Sequence, residues 1–315
     1  MGTRPDTIYV TIACYRDPVI QSTIDDLFCK ADNPSKITVG VFLQQKADEN
    51  LITNTYGNRV RVDVQEPGQI FSVCQCRNRA MCPLYDEEYV LQIDSHTRFD
   101  QGWDTKLLDL HKSINNEKAL ISVYLPEWYY MENHTEAFIR RYKTFARFVF
   151  NTGDSEKTFY QHHELVPMPT NALDAKEQEL ELGWYLCGHF IFGKRDFFTK
   201  ILQPEWVGFW GEEIINSLRA YTAGWDVYNP ADPPLYHMNE SRSIDFSRPK
   251  LWIDYPQEHN DRRAPTTDRI INIMKNNTIG PDALFDVRPL SDLYKIVGCD
   301  LGELFYSWYT NKNGN

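Results

Sequence analysis

The residues best suited to chemistry are Asp94 and His96, two positions apart and directly after the apolar segment 89–93. That segment has the β-favouring composition of a short buried strand. Ligands of open α/β sheets bind beyond the carboxyl ends of strands, where such side chains can turn toward one point. A carboxylate and a neutral imidazole suit Mn²⁺ or a similar divalent ion, which would bridge a diphosphate and neutralise its charge. The spacing is short and common, so it leaves open that Asp94 caps a turn and His96 lies on the surface.

Strand and helix patterns indicate an α/β fold around this pair. Segments 7–13 and 37–43 are rich in β-favouring residues, and segment 19–31 between them carries its apolar residues on one helical face. A strand, a helix and a second strand in this order form a βαβ unit, which implies parallel strands. Further predicted strands are 60–64, 89–93, 119–125, 184–192 and 225–228, and further predicted helices are 70–81, 103–114, 195–202, 214–223, 270–275 and 292–297.

Polar and glycine residues mark several predicted boundaries. Asp100, Thr267 and Ser291 each precede a predicted helix and are expected to cap its first turn. Gly224 is expected to end the helix before it. The proline-rich segment 233–237 is predicted to be a loop.

Composition narrows the class of protein. The net charge of −11 argues against nucleic acid as the main partner, because a phosphate backbone requires clustered Lys and Arg. No apolar run approaches the length of a membrane span, and the first residues contain no secretory hydrophobic region. Seven cysteines without a regular framework suggest reduced thiols in a cytoplasmic protein. Cys74, Cys76 and Cys82 lack the spacing of paired zinc ligands, so helix packing explains them better.

Three features follow one another along the chain: Tyr15-Arg16-Asp17 at a predicted strand end, Asp94-Ser95-His96, and Gly-x-x-Gly-Glu-Glu at 208–213 followed by an isolated His237. This ordered set resembles metal-dependent, GT-A-type nucleotide-sugar glycosyltransferases. It is most similar to the GlcNAc-transferases that modify hydroxyproline on a cytoplasmic ubiquitin-ligase adaptor, which are relatives of the mucin-type polypeptide GalNAc-transferases. Further segments that carry the resemblance are 12–18, 27–34, 39–44, 77–80, 211–213, 235–237 and 293–301.

The resemblance implies a GT-A fold, with a mostly parallel, Rossmann-like sheet flanked by helices. It divides a single catalytic domain into three parts. These are a nucleotide-binding half at 1–125, an acceptor and metal half at 126–262, and a C-terminal helical segment at 263–315.

Segment 126–182 is rich in Tyr, Trp, His and Glu, and is predicted to be an insertion that lines a cleft and selects the acceptor. Short strands are predicted within it at 145–150 and 165–169. Trp128 and Trp184 are the predicted acceptor residues, because flat aromatic walls suit an extended peptide, a proline ring or a sugar face.

The metal site implied by the resemblance consists of Asp94, His96 and His237. These residues would hold Mn²⁺, or Mg²⁺ or another divalent cation, together with two phosphates and water. A lone histidine such as His237 is more often structural, and this interpretation stays open from the sequence pattern.

The nucleotide-sugar site implied by the resemblance lies at two strand ends. Tyr15, Arg16 and Asp17 would meet uridine and its ribose, although Arg16 and Asp17 could also form a turn with a local ion pair. Arg242 and Arg248 are candidates for a flap over the diphosphate, since a guanidinium suits phosphate; surface arginines are the alternative. The implied nucleotide-sugar contacts are Tyr15, Arg16, Asp17, Arg77, Asp94, Ser95 and Arg242.

The implied catalytic residues are Glu212, Glu213 and Asp94. Two acids behind Gly-x-x-Gly, beside a sugar pocket, suggest that one of them binds a hydroxyl of the donor or acceptor. The alternative for one of the two glutamates is stabilisation by the dipole at a helix start.

The expected function is transfer of GlcNAc from UDP-GlcNAc to a hydroxyl, in hydroxyproline or Ser/Thr of a cytoplasmic protein, with retained anomeric configuration. The expected partners are the UDP-sugar and a protein acceptor, without nucleic acid or membrane; a homodimer stays open. The alternatives are the same donor chemistry on a glycan or small molecule, or a catalytically silent nucleotide-sugar or glycan-binding protein.

Overall fold

The computed structural model describes residues 3–53, 55–82, 84, 86–139, 144–145, 173–174, 180–209, 211–297, 300–303 and 305–306. Most of the predicted strand 145–150 and all of the predicted strand 165–169 lie outside the described residues. So do Gly298 and Cys299 of the closing segment.

The strands alternate with helices in the order that the sequence predicts for an α/β protein. They are β1 (Arg4–Tyr15), β2 (Ile37–Gln44), β3 (Val60–Gln65), β4 (Glu87–Asp94), β5 (Thr97–Phe99), β6 (Ala119–Ile121), β7 (Glu127–Tyr130), β8 (Glu136–Ile139), β9 (Thr144–Phe145), β10 (Leu173–Asp174), β11 (Leu180–Gly183), β12 (Phe190–Lys194), β13 (Asp226–Pro230) and β14 (Leu235–Met238).

The helices of the described residues flank these strands. They are α1 (Ile20–Cys29), α2 (Val73–Met81), α3 (Trp103–Ile114), α4 (Arg195–Lys200), α5 (Glu212–Thr222), α6 (Leu251–Asp254), α7 (Pro256–Asn276) and α8 (Leu290–Val297), with short 3₁₀ turns at Pro34–Lys36, Gly57–Arg59, Glu132–His134 and Glu240–Arg242. None of these helices has the length and apolar character needed to cross a lipid bilayer.

The main sheet of the described residues has eight strands in the order β11-β13-β6-β12-β4-β1-β2-β3. Strands β1 to β4 pair in parallel, as do β6 and β13, whereas β12 and β11 run antiparallel to their neighbours. The predicted, mostly parallel α/β sheet is therefore confirmed. The core lies where α1 and α3 cover this sheet, and the predicted inner face of α1 is buried at Ile20, Ile24, Leu27 and Phe28.

A second sheet, β5-β14-β7-β8, overturns one prediction. The segment predicted as a loop at 233–237 contains the start of β14, because Leu235 and Tyr236 are buried and pair with β5. In turn, the predicted strand 184–192 is wrong over residues 184–189, since β12 begins only at Phe190.

The three predicted helix caps are also wrong. Gly102, in a left-handed conformation, precedes α3 in place of a cap by Asp100. Thr267 lies inside α7, because that helix begins eleven positions earlier at Pro256, where proline suits the first helical turn. Ser291 is already the second residue of α8.

Strand pairing brings distant residues to one edge of the main sheet. β1 and β4 end side by side, with Ala13 opposite Asp94. β12 runs antiparallel to β4 with Phe190 opposite Ile93, so the turn before β12 reaches the same edge. In the second sheet, His237 of β14 pairs with Thr97 of β5, which follows β4 directly.

Candidate active site

A cavity of about 340 Å³ opens at this edge, within the usual size range of ligand sites. Its walls come from the ends of β1 and β4, the starts of α2 and α5, the turn before β12, and segment 248–252. The predicted residues that line it are Tyr15, Arg77, Asp94, Ser95, His96, Glu212, Glu213, His237 and Arg248.

Asp94, His96 and His237 converge at the floor of this cavity. His237 Nε2 lies 3.2 Å from Asp94 Oδ2 and 3.0 Å from His96 Nε2, and His96 Nε2 lies 3.7 Å from Asp94 Oδ2. These three ligand atoms, one carboxylate oxygen and two imidazole nitrogens, all lie within 4.8 Å of one another. Such a set of donor atoms suits a divalent ion of the first-row transition metals. The residues present therefore fit the metal that the sequence implied.

Asp17 orients His96 from behind. Its Oδ2 accepts hydrogen bonds from Ser95 Oγ at 2.7 Å and from His96 Nδ1 at 2.8 Å. A proton on Nδ1 leaves Nε2 free for a metal, the usual carboxylate–histidine arrangement behind metal ligands. His96 Nδ1 also lies 2.7 Å from Arg248 Nη1, which could donate to Nδ1 if the proton were on Nε2 instead. Metal binding at Nε2 would select the tautomer with the proton on Nδ1.

The titration of this pair agrees with a ligand role. Burial, with the neighbouring Arg248 cation, lowers the pKa of His96 to about 4, so the imidazole is neutral at physiological pH. Burial alone would raise the pKa of Asp17. The hydrogen bond from His96 and the positive charge of Arg248 together outweigh burial, so the pKa of Asp17 lies well below its usual range.

Arg77 and Glu212 form an ion pair on the wall beside Asp94. Arg77 Nη1 lies 2.7 Å from Glu212 Oε2, and Arg77 Nη2 lies 3.6 Å from Asp94 Oδ1. The backbone of Gly188 passes directly over this pair, since a Cβ there would lie 2.2 Å from Glu212 Oε1. Only glycine fits at this position without moving the ion pair.

Glu213 is held by three donors from two connecting segments, the one after β6 and the one between β11 and β12. The hydroxyls of Tyr124 and Tyr185 each donate to its Oε2 at 2.9 Å, and the backbone N–H of Gly188 donates to Oε1 at 2.6 Å. Burial, followed by the neighbouring Glu212, raises the pKa of Glu213 to about 7. Both glutamates begin α5 behind Gly211, which adopts a left-handed conformation.

Three predicted nucleotide contacts have other partners in this structure. The Arg16 side chain pairs with Glu49 and Asp254, and Asp17 is buried beneath His96; neither side chain lines the cavity. Arg242 pairs with Glu127 and is 53% exposed away from the cavity. Of the predicted uridine residues, Tyr15 lines the cavity, and its hydroxyl donates to Asp254 at 2.7 Å.

The two predicted acceptor tryptophans lie in the protein interior. Trp128 is fully buried on β7, where its Nε1 donates to the carbonyl of His96 at 2.9 Å and Arg98 stacks on its ring. Trp184 is 6% exposed in the cluster beneath α5, edge-on to Tyr185. Neither ring forms a wall of the cavity.

Sequence reasoning missed His189, which lines the cavity and stacks on His237 with ring centroids 4.2 Å apart. Asp94 and His189 are 95 residues apart in the chain, and only the antiparallel pairing of β12 with β4 joins them. The Gly188-His189 dipeptide at the start of a buried strand was the available signal, since polar residues at strand ends often bear function. This signal was missed because His189 was predicted to lie inside the strand 184–192 and not at a strand end.

Comparisons with known proteins identify the family. A family model described as "Glycosyltransferase (GlcNAc)" matches residues 7–64 and 52–297. The chain belongs to this glycosyltransferase family. No curated protein sequence gives a significant match.

Solved structures confirm the fold. GalNAc-T7 with UDP, GalNAc and Mn²⁺ superposes with a TM-score of 0.53 at 10% identity, covering 98% of this chain and 57% of that one. The S. aureus TarS fragment 1–349 in complex with UDP-GlcNAc superposes with a TM-score of 0.51 at 14% identity, covering 84% of this chain and 67% of that one. The chain thus has the GT-A fold that the resemblance implied, and it spans little more than half the length of the GalNAc-T7 chain.

Proposed function

We propose that this glycosyltransferase transfers GlcNAc from UDP-GlcNAc to a hydroxyl of a protein, in hydroxyproline or in Ser/Thr, with retained anomeric configuration. The observation that carries the proposal is the convergence of Asp94, His96 and His237 in a cavity of a GT-A fold. The family description and the UDP-GlcNAc in the similar TarS structure support GlcNAc as the sugar.

Asp94, His96 and His237 would hold a divalent cation, Mn²⁺ being the candidate that accompanies UDP in the GalNAc-T7 structure. When bound, such an ion neutralises charge on a diphosphate leaving group. Asp17 and Ser95 act behind these ligands, because the carboxylate of Asp17 fixes the ring of His96 and Ser95 fixes Asp17. We therefore replace the predicted uridine contact of Asp17 with this orienting role.

The Arg77–Glu212 pair is the proposed contact for the donor sugar. It lies beside Asp94 and presents both hydrogen-bond donors and acceptors to the cavity, which sugar hydroxyls can satisfy together. Arg248 and Lys250 also line the cavity and are the proposed cations for phosphate, which would share them with their present partner Glu240. Arg242 would have to leave Glu127 to reach the same ligand.

A cytoplasmic protein acceptor is part of the proposal, supported by the resemblance to hydroxyproline GlcNAc-transferases and by the free cysteines of the described residues. Because Trp128 and Trp184 are buried, we propose that they support the site and that the cavity-lining aromatic residues contact the acceptor. Apart from Tyr15, which is proposed to contact uridine, these are Phe71, Tyr124, Phe209 and Trp252.

The test is donor hydrolysis over a panel of nucleotide sugars and divalent metals, followed by transfer to hydroxyproline and serine peptides. UDP-GlcNAc with Mn²⁺ should give the highest rate. Asp94→Ala should abolish it, whereas Asp196→Ala should not, because that carboxylate lies on the surface with Lys200.

Two outcomes would contradict the proposal. Metal-dependent binding of UDP-GlcNAc without hydrolysis or transfer would indicate a silent binding protein. Efficient transfer to free glycans but to no peptide would move the acceptor to another class.

A further inference from the structure

The two histidines of the proposed metal site are held in different ways. The ring of His96 is fixed by the hydrogen bond between its Nδ1 and Asp17. His237 directs its Nε2 toward Asp94 and His96, but among the described residues no hydrogen bond reaches its Nδ1. Its side chain is also 25% exposed, against 7% for His96. Some other contact must therefore limit rotation of the His237 ring.

His189 makes that contact. Its ring stacks on His237 at a centroid distance of 4.2 Å and an interplanar angle of 29°. Tyr124 also packs edge-on against His189, with ring centroids 4.9 Å apart. His237 is thus held by a ring that is itself packed against an aromatic neighbour.

The position of His189 is fixed by its backbone and by its own nitrogens. The N–H of Leu125 donates to His189 Nε2 at 3.2 Å, and Cys187 Sγ lies 3.2 Å from each ring nitrogen. The preceding residue, Gly188, donates its N–H to Glu213 at the start of α5. Cys187, His189 and Glu213 also offer ligand atoms within 4.8 Å of one another, but Nε2 of His189 accepts the hydrogen bond from Leu125 and only the ring face lies against His237. Toward the site of His237, His189 is therefore placed to orient that ring.

We propose that His189 is a positioning residue that sets the ring plane of His237 for metal binding; this rests on the proposed function of Asp94, His96 and His237. Ligand side chains must be held to within about 10–20° of the productive geometry. Loss of partners behind metal ligands usually costs about 10–100-fold in metal affinity. Stacking supplies here what a carboxylate supplies for His96.

The experiment measures Mn²⁺ affinity of the whole chain without nucleotide, from the EPR signal of free Mn²⁺ during titration. His189→Ala removes the stacked ring and should weaken binding about tenfold. His189→Phe keeps a flat ring against His237 but removes both nitrogens, and should stay within about threefold of the unmodified protein.

Two further variants define the scale. His237→Ala should weaken binding more than His189→Ala does. His111→Phe replaces another buried histidine that packs against aromatic rings, far from the cavity, and should leave Mn²⁺ affinity unchanged. Urea denaturation of each variant separates loss of folding from loss of binding.

The outcomes distinguish this inference from the function on which it rests. If His237→Ala weakens Mn²⁺ binding but His189→Ala does not, the positioning role is wrong and the metal site stands. Equal losses in His189→Ala and His189→Phe would also overturn it, because the nitrogens and not the stacking would then be responsible. If the unmodified protein binds no Mn²⁺, both the metal site and the inference fail.

Discussion

At the scale of single residues, Glu213 has the most informative titration. Its carboxyl lies among Tyr124, Tyr185 and Gly188, and its pKa is raised from 4.5 to about 7. The folded state therefore holds this proton more tightly than the unfolded state does. Between about pH 4.5 and 7 the contribution of Glu213 to stability must fall as pH rises, by at most about 1.4 kcal/mol per pH unit.

We expect Glu213→Gln to lose this pH dependence, because glutamine keeps the shape of the side chain but does not ionise. The free energy of unfolding of the unmodified protein, relative to the variant, should decline from about pH 4.5 to about 7. Urea denaturation of both proteins at several pH values provides the measurement. Parallel stability curves for the two proteins would show that Glu213 ionises normally.

Trp128 is a second residue whose role the structure changes. We expect Trp128→Ala to reduce the free energy of unfolding by about 3–5 kcal/mol, because a fully buried indole leaves a cavity. Trp128→Phe should cost less and should act mainly through the lost hydrogen bond to the His96 carbonyl. Denaturation and Mn²⁺ titration of both variants test this.

The predicted acceptor role of Trp128 has a distinct signature. If Trp128→Phe keeps stability and Mn²⁺ affinity but loses transfer to the acceptor more than donor hydrolysis, the indole contacts the acceptor after all.

At the scale of elements, helix α5 depends on Gly211. This residue has φ of +86°, and a Cβ there would lie 2.6 Å from Ile270 Cδ1, in the cluster between α5 and α7. Gly57 also has a positive φ, of +58°, but among the described residues a Cβ there would meet no atom within 4 Å. Substitution of Gly57 therefore introduces backbone strain alone, whereas substitution of Gly211 introduces both backbone strain and a steric clash.

We expect Gly57→Ala to destabilise by about 1–2 kcal/mol through strain alone. Gly211→Ala should reduce the free energy of unfolding by about 1 kcal/mol more than Gly57→Ala does, because the added methyl group also crowds a packed core. It should further weaken donor hydrolysis, since α5 begins with Glu212 and Glu213. Urea denaturation and hydrolysis rates of the two variants provide the comparison. Equal losses of stability in the two variants would mean that the side chain of Ile270 moves aside at no cost in free energy.

At the scale of the whole molecule, the charge is unevenly distributed. The chain has a net charge of −11, yet Arg77, Arg248 and Lys250 line the cavity. Asp94, Glu212 and Glu213 line the same cavity, so an anionic ligand meets cations and carboxyls together, and a bound divalent ion would add the positive charge that favours it. Two of these three cations belong to segment 248–252, which forms one wall of the cavity.

We expect UDP to raise the melting temperature by several degrees when Mn²⁺ is present, because a ligand at about 100 times its Kd stabilises the folded state by about 2.7 kcal/mol. ADP and GDP should give smaller shifts, and chelator or His96→Ala should remove the UDP shift. Differential scanning fluorimetry measures all of these. Equal shifts with UDP, ADP and GDP would remove the uridine assignment.

Local secondary structure and the order of motifs along the chain could be predicted from the amino-acid sequence. The β-rich segment before Asp94 predicted β4, and the apolar face at 19–31 predicted α1, because burial and backbone preference act over neighbouring residues. The order of Asp94, His96, Glu212 and His237 pointed to the glycosyltransferase class, and the match of the family model confirms that class.

How these residues meet became visible only in the folded chain. His189 reaches His237 because β12 pairs antiparallel with β4, and His237 reaches Asp94 because β14 pairs with β5. The pattern of one segment predicts a strand but does not say which distant strand it will pair with, because that choice depends on the packing of the whole sheet. For the same reason, Trp128 could be predicted as a flat aromatic surface but not as a buried one, since its burial comes from β14 and Arg98.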